Sequence, residues 1–243
     1  MSVWWLIAAF VFFAYTMETV TGFGSIVIAI SLGALVLPIE TLMPVLVPLN
    51  ICMTGYLVIR HRHNIHGPTL VRLILPLMVL GTLAGYGLRP WLGERLTQVL
   101  LGVLVIWFAG RELWRSAYGV HPARHGRGWT RGWMLLAGVT HGLFASGGPL
   151  LVYALTGVEL DKARFRATLV TVWLTLNSLL TLVFALDGSL VPALPRVAIL
   201  LPVVVAGVMV GEFLHGRVDE LRFRRTVLGV LVFAGTALVV APG

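Results

Sequence analysis

The sequence predicts an all-α polytopic membrane protein, and three observations carry that prediction. Of its 243 residues, 58% are hydrophobic and only 12% are charged. The mean hydropathy is +0.93, whereas soluble domains are about a quarter charged. Uncharged runs such as 73–88, 96–109 and 197–210 recur along the chain, as expected for helices that lie in lipid.

The charge and cysteine content exclude several other classes of protein. The formal charge of +8 comes from arginines that cluster in short loops between apolar segments, which is how membrane topology is specified. We therefore expect no nucleic-acid partner. Cys52 is the single cysteine, so neither an intrachain disulfide nor a multi-cysteine metal site is expected. The start Met1–Trp5 has no basic region, and we interpret the first segment as mature protein.

Eight apolar segments are predicted, with short loops between them. They cover residues 2–37, 41–59, 68–88, 95–117, 131–157, 166–186, 195–214 and 222–241. A longer basic stretch divides the chain into a first membrane repeat (1–117), a cytoplasmic linker (118–130) and a second membrane repeat (131–243).

The two halves carry the same signatures in the same order. The motif Leu-Asn-x-x-x-Thr occurs at Leu49–Thr54 and at Leu176–Thr181. Each half also has an ionisable residue ahead of a glycine-rich stretch. The remaining matches, at an offset of 126, pair Pro76, Gly81 and Gly85 with Pro202, Gly207 and Gly211.

The arginines favour an inverted arrangement of these repeats. If every segment crossed the bilayer once, the 18 Lys and Arg would divide equally between the two faces. If segment 131–157 instead dips in and returns, 15 lie on one face and only Arg89, Arg95 and Arg196 on the other. The positive-inside rule favours the second arrangement. The sequence therefore predicts two inverted-topology repeats, each with one broken or re-entrant helical hairpin plus three transmembrane helices.

Two glycine-rich stretches, Thr21–Ser25 and Ala145–Pro149, are the predicted helix breaks. The second is expected to separate half-helices at Trp133–Phe144 and Pro149–Gly157. The start of a half-helix presents free N–H groups and a positive dipole end to an anion. Two such breaks facing each other across an inverted repeat form a transporter site near the membrane midplane. The alternative is that the glycines only allow close helix packing.

The candidate functional residues lie in and around these breaks. Glu18 is the only acid in its segment and His141 titrates near physiological pH, so both are proton-coupling candidates. The alternatives are an interfacial Glu18 and a hydrogen-bonded core His141. The predicted substrate-binding residues are Thr21, Gly22, Phe23, Gly24, Ser25, Asn50, Thr54, Ser146, Gly147, Gly148, Pro149, Asn177 and Thr181.

Other polar residues have plainer interpretations. Asn50 with Thr54, and Asn177 with Thr181, each share one helix face, and hydrogen bonding between helices is the default alternative to substrate contact there. Arg166 begins a helix and is interpreted as a topological charge. The histidine-containing run 60–66 is interpreted as an exposed loop, because its arginines disfavour a bound cation.

At these motifs the sequence resembles the TauE/SafE family of sulfite exporters, also called the TSUP family. The likeness covers nearly the whole chain and rests on Gly22–Ser25, Ser146–Val152, Arg164–Thr168 and the duplicated plan. It implies export of sulfite, small organosulfonates or related carboxylates across a bacterial inner membrane. The family often has a longer glycine run in the first half, where this chain has Thr-Gly-Phe-Gly-Ser.

We therefore expect a secondary transporter of small anions, coupled to protons or to the membrane potential, with its site between the two breaks. An anion channel or an accessory membrane subunit is the alternative. An intramembrane hydrolase is disfavoured because Ser146 lacks the Gly-x-Ser-x-Gly elbow. No enzymatic activity, cofactor or metal is expected. The expected partners are the anion, the lipid bilayer, protons and, as one option, further copies of the chain.

Overall fold

The computed structural model describes residues 3–21, 24–118, 126–155, 161–214, 217 and 219–240, and its regular structure is helical. Its helices are α1 (Val3–Thr21), α2 (Ser25–Gly33), α3 (Ile39–His61), α4 (Gly67–Thr69), α5 (Leu75–Tyr118), α6 (Arg127–Phe144), α7 (Gly148–Ala154), α8 (Lys162–Leu186), α9 (Leu190–Leu214) and α10 (Glu220–Val240). A 3₁₀ turn at Arg62–Asn64 and a π-helical turn at Leu70–Ile74 join α3 to α5.

Several of these helices are long and apolar enough to cross a membrane. Within the described ranges, five stretches qualify: Val3–Val20, Ile39–Asn64, Gly67–Tyr118, Ala163–Leu186 and Leu190–Leu214. Large apolar side chains on their outer faces are exposed, for example Leu80, Ile199 and Met209, which suits contact with lipid. The predicted class, an all-α polytopic membrane protein, is confirmed.

The predicted loop at 89–94 is replaced by a kink within α5. Only Gly93 leaves helical geometry, with a φ of 67°, a left-handed conformation that glycine adopts without steric cost. Pro90 lies just before it and removes one backbone hydrogen-bond donor from the helix. The residues on both sides stay helical, so a single glycine separates two arms of α5.

The two helices of the second hairpin also differ in length from the predicted half-helices. α6 has 18 residues, about 27 Å at 1.5 Å per residue, because its polar first turns extend the helix ahead of the apolar segment. α7 has only seven residues and ends at Ala154, about 10 Å. Residues 156 and 157 of the predicted half-helix lie outside the described ranges.

Internal contacts divide the chain into two compact units. Unit 1 comprises the described residues of Met1–Leu46, Leu92–His121 and Ala193–Gly243. Unit 2 comprises those of Val47–Trp91 and Pro122–Pro192. Each unit therefore combines helices from both halves of the sequence.

In unit 2, glycines bring α5 and α6 into backbone contact. A methyl group added at Gly81 would overlap the carbonyl oxygen of Leu135, and one added at Gly85 would overlap that of Val139. α6 contributes its own glycine to this interface, since a methyl at Gly138 would lie 2.9 Å from the Gly81 Cα. Small residues of this kind let membrane helices approach closely.

In unit 1, α9 packs on α1 in the same manner. A methyl group at Gly207 would lie 2.8 Å from the Phe12 carbonyl oxygen, and one at Gly211 would lie 2.8 Å from that of Thr16. The Thr16 hydroxyl also donates a hydrogen bond to the Gly207 carbonyl at 3.1 Å.

These two sets of contacts correspond position by position. Gly81 on Leu135 and Gly85 on Val139 match Gly207 on Phe12 and Gly211 on Thr16. The residue numbers of the paired glycines differ by 126, and those of their contact partners differ by 123. The spacing from Glu18 to His141 is also 123 residues. In each unit, the glycine helix of one sequence half thus packs on the hairpin of the other half.

At one end of unit 1, a buried carboxylate forms ion pairs with three arginines. The Glu112 side chain is 7% exposed and pairs with Arg111 and Arg115 at 3.0 Å and with Arg224 at 2.8 Å. A buried carboxylate requires such partners. They hold the end of α5 against the start of α10, as expected for arginine-rich segments on one membrane face.

A corresponding contact occurs in unit 2. The His66 N–H donates a hydrogen bond to the Thr168 hydroxyl at 3.1 Å, and the Arg62–Asn64 turn packs against α8. The loop after α3 and the first turns of α8 therefore lie together.

The glycine contacts generate a stability prediction for unit 2. Gly85→Ala should lower the free energy of unfolding by about 1–3 kcal/mol, because the added methyl meets backbone that moves only if α5 and α6 separate. Gly87→Ala is the matched control, since no atom lies within 4 Å of its methyl and both changes raise helix propensity equally. Thermal unfolding of the purified protein in detergent measures both. Equal midpoints would contradict the contact.

Candidate functional site

The second break lies in unit 2, between α6 and α7. Ala145 follows α6 with a φ of 52°, and its N–H bonds the His141 carbonyl at 2.7 Å. This left-handed conformation costs a non-glycine residue about 1–2 kcal/mol. A methyl group at Gly147 would overlap the Ala137 carbonyl oxygen and lie 3.0 Å from the His141 Cβ. The break is therefore packed directly on α6, and only glycine fits at Gly147.

The side chains beside this break form a buried polar group. The His141 ring stacks on Trp173, with centroids 5.8 Å apart and planes at 22°. Asn177 lies beside the imidazole and donates a hydrogen bond from Nδ2 to Asn50 Oδ1 at 2.8 Å. His141, Asn177 and Ser146 are each 1% exposed. We call His141, Ser146, Trp173, Asn177 and Asn50 the histidine cluster.

The histidine cluster has unused hydrogen-bonding capacity. Oγ of Ser146 has no hydrogen-bond partner among the described residues, and neither has Oγ1 of Thr181, one helical turn after Asn177. The His141 ring nitrogens and Asn177 Oδ1 make no hydrogen bond of normal geometry there, although the two side chains are close enough to interact with each other. Buried polar atoms are normally bonded, and each one left unpaired costs about 1–3 kcal/mol. An imidazole N–H and two hydroxyls are donors to an oxyanion. These groups remain available to a polar ligand.

The repeated Leu-Asn-x-x-x-Thr motifs meet in this unit. Asn50 and Asn177, which occupy equivalent positions in the two motifs, hydrogen-bond to each other across α3 and α8. The Thr54 hydroxyl bonds the Asn50 carbonyl of its own helix at 2.8 Å. The hydrogen bond between helices, which the sequence analysis gave as the alternative to substrate contact, is therefore present. Asn177 Oδ1 accepts no hydrogen bond of normal geometry.

The first break lies in unit 1 and is capped by an internal carboxylate. Gly24 has a φ of 106° and precedes α2. The Ser25 N–H donates a hydrogen bond to Glu18 Oε2 at 3.3 Å, and Glu18 and Ser25 are 7% and 1% exposed. The carboxylate thus lies at the positive end of α2, where the sequence suggested a substrate anion. Gly22, Phe23 and the Thr21 side chain lie outside the described part of the chain.

The side chains at equivalent positions of the two breaks therefore differ in their hydrogen bonds. At the first break a carboxylate of the same hairpin accepts a backbone N–H. At the second break the equivalent position holds His141, whose ring nitrogens make no hydrogen bond of normal geometry within the described residues. Gly148 and Pro149 begin α7 there, and a methyl at Gly148 would lie 3.5 Å from the Trp173 ring.

Trp173 is a site residue that sequence reasoning missed. It lies four positions before Asn177 on α8, so the two share a helix face. That spacing was the available signal, but an aromatic residue in an apolar helix is ordinary, and only its stacking on His141 distinguishes it.

Other ionisable groups of the described chain do not form a metal site. No group of three His, Cys, Asp or Glu residues that could hold a metal ion occurs in the described ranges. Asp187 lies in the turn after α8, where burial opposes ionisation. Hydrogen bonds from Ser189 and Tyr86, together with the charge of Arg89, outweigh that burial and hold the Asp187 pKa below its usual value.

These features define a class of protein. The chain is a multi-pass helical membrane protein with two glycine-containing helix breaks and a buried polar cluster beside one of them, as in secondary transporters. Residues 7–238 match the family described as sulfite exporter TauE/SafE. The chain belongs to this family, as its motifs indicated. It is therefore a membrane transporter and not an enzyme.

Two curated relatives agree with this assignment. The chain is 30% identical over 168 residues to the "Probable inner membrane transporter protein TsaS" of Comamonas testosteroni, which covers 68% of this chain and 69% of the relative. It is 25% identical over 228 residues to the "Probable sulfite/organosulfonate exporter TauE" of Cupriavidus necator, covering 91% and 88%. No solved structure matches the chain. Together with its apolar helices, these matches place the chain in the bacterial inner membrane as a multi-pass protein.

The asparagine pair generates a prediction that separates structure from transport. Asn50→Leu and Asn177→Leu should each destabilise the protein by about 1 kcal/mol, because each leaves a buried partner unbonded. The double variant should lose less than the sum of the two. Thermal unfolding and transport rates of all three variants measure this cycle.

Transport should distinguish the two roles of the pair. We expect it to be abolished in both single variants and in the double variant, because Asn177→Leu removes the amide beside His141 and Asn50→Leu removes the hydrogen bond that holds this amide in place. A double variant that regains both stability and transport would leave the pair with a structural role alone.

Proposed function

We propose that this chain is a secondary transporter that exports a small anion of the sulfite or organosulfonate class. The observation that carries the proposal is the set of buried polar atoms without partners in the histidine cluster. Polar groups inside a membrane protein are expensive and mark substrate pathways. The Cupriavidus necator relative is named as a probable sulfite/organosulfonate exporter, and the Comamonas testosteroni relative as a probable inner membrane transporter, which supports the same class of function.

The second break is our proposed anion site. The His141 ring, the Ser146 hydroxyl and the Thr181 hydroxyl offer hydrogens to the oxygens of a sulfite or sulfonate group. Asn177 lies beside His141, and Trp173 gives the site one apolar wall. Gly147 and Gly148 let the backbone of the break approach α6 and Trp173 closely, which positions Ser146.

The halves 1–117 and 131–243 are, in this proposal, inverted-topology repeats. The matching contacts of Gly81 and Gly207, and of Gly85 and Gly211, support that arrangement. So does the charge distribution, because an inverted second half places 15 of the 18 basic residues on one face.

Glu18 is our proposed proton-coupling residue. Its carboxylate accepts the Ser25 N–H at the start of α2, and that interaction depends on its negative charge. A proton on Glu18 would neutralise the charge and weaken the cap, which links the state of the first break to pH. His141 is the second titratable group at an equivalent position, and it acts on the anion directly.

Counterflow in proteoliposomes tests the proposed function. Vesicles loaded with unlabelled sulfite should accumulate labelled sulfite transiently, and methanesulfonate inside should drive the same exchange. A channel would dissipate the gradient without exchange. Absence of any protein-dependent anion movement would contradict the proposal.

A pair of hydroxyl variants makes this test specific to the site. Ser146→Ala should raise the KM for the anion about tenfold, the effect of one hydrogen bond to a charged group. Thr171→Ala also loses a hydroxyl in unit 2, but that hydroxyl bonds its own helix at the Ala167 carbonyl, so its KM should stay unchanged.

Substitution of Glu18 tests the coupling. Glu18→Gln keeps an oxygen for the Ser25 N–H but cannot titrate, so anion-for-anion exchange should persist while transport driven by a pH gradient should fail. Glu40→Gln is the control, because Glu40 is an exposed carboxylate at the start of α3 in the same unit. Full pH-driven transport by Glu18→Gln would assign Glu18 a structural role only.

A further inference from the structure

A cavity with apolar walls and a few polar side chains lies in unit 2, away from the histidine cluster. The cavity, of about 310 Å³, is bordered by α3 and its following 3₁₀ turn on one side and by the first turns of α8 on the other. His61, Asn64 and Arg166 line it with polar groups, and Leu57 and Val170 give it apolar walls. Cavities of this size accept small organic ligands.

The polar side chains of this cavity are not engaged elsewhere. Within the described residues, Arg166, His61 and Asn64 have no hydrogen bond or ion pair from their side chains. Neighbouring Arg164 differs, since it pairs with Asp161 at 3.3 Å. No Asp or Glu lines the cavity. Its charge is therefore positive, and the Arg166 guanidinium has donors in the fork geometry that suits an oxyanion.

Two helix faces run from the cavity to the histidine cluster. On α8, Arg166, Val170, Trp173 and Asn177 follow one another at spacings of four, three and four. On α3, His61, Leu57, Thr54 and Asn50 show the same spacings in reverse. Residues at such spacings share one face of a helix. The Asn50–Asn177 hydrogen bond joins these faces at one end, and the cavity separates them at the other.

We propose that this cavity is an anion-capture vestibule that receives the sulfite or sulfonate before it reaches the histidine cluster. The proposal rests on the proposed function. Arg166 binds the oxyanion, and Leu57 and Val170 contact the organic part of a sulfonate. The distance from Arg166 to Asn177 along α8 is about 16 Å at 1.5 Å per residue, so the vestibule is a separate subsite. The charge of Arg166 therefore has a binding role in addition to any role in topology.

Kinetics of arginine variants test this assignment. Arg166→Gln should raise the KM for sulfite and methanesulfonate about tenfold, as expected for loss of a charge-assisted bond, and leave the maximal rate at saturating anion within about twofold. Arg166→Lys should lie between this variant and the unmodified protein, because it keeps the charge but loses the fork.

Arg164→Gln is the matched control. It removes one positive charge from the same start of α8 but does not line the cavity. An effect on topology would appear in both glutamine variants, whereas an effect on capture would appear only in Arg166→Gln. Equal KM values for Arg166→Gln and Arg164→Gln would overturn the vestibule.

A binding measurement makes the outcome independent of transport. Ala163→Cys, with Cys52→Ser, places a thiol in the cavity wall of the full-length protein in detergent. Methanesulfonate should slow its reaction with N-ethylmaleimide, and adding Arg166→Gln should remove that protection. Absence of protection would overturn the vestibule even if the unmodified protein shows counterflow, which alone decides the proposed function. Protection without counterflow would support an anion site but contradict export.

Discussion

A helix that breaks inside a bilayer leaves backbone N–H and C=O groups that lipid cannot bond, and the rest of this structure depends on how those groups are covered. Packing against neighbouring helices buries them, and glycines make that packing close. Gly147 packs the second break against α6, and Gly81 and Gly85 pack α5 on the same helix. Gly207 and Gly211 bring α9 equally close to α1. Close packing here makes a broken helix tolerable, which in turn makes a polar site possible in an apolar protein.

The duplicated plan is used asymmetrically, and the difference lies in charge. At the first break the Glu18 carboxylate bonds the Ser25 N–H, so the hairpin supplies its own anion to the positive end of α2. A substrate anion would meet repulsion there while Glu18 is ionised. At the second break the equivalent His141 carries no negative charge in either protonation state, and its neighbours keep unused polar atoms. In our proposal, the anion site and the coupling residue therefore belong to different breaks.

Hydropathy and the repeated glycines were enough to predict the helical membrane class and the breaks, and the family was predicted from the resemblance of the motifs at Gly22–Ser25, Ser146–Val152 and Arg164–Thr168. The offset of 126 paired Gly81 with Gly207 and Gly85 with Gly211, and the structure shows that these pairs make equivalent helix contacts. The kink at Gly93 was not predicted, since helix geometry on both sides depends on packing. The stacking of Trp173 on His141 was missed for a similar reason. An aromatic residue in an apolar helix acquires such a role only through its spatial neighbours, and the sequence does not specify these.

The placement of positive charge along the proposed path is physically consistent with turnover. A permanent charge deep in a membrane protein is costly and would hold an anion too strongly for release, since conduction requires sites that bind weakly enough to let go. Arg166 is exposed at the cavity, where water screens its attraction. The histidine cluster is buried and offers mainly neutral donors. In this proposal, an anion that passes from the vestibule to the histidine cluster exchanges one strong, screened partner for several weaker, unscreened ones, and neither subsite binds it too tightly for release.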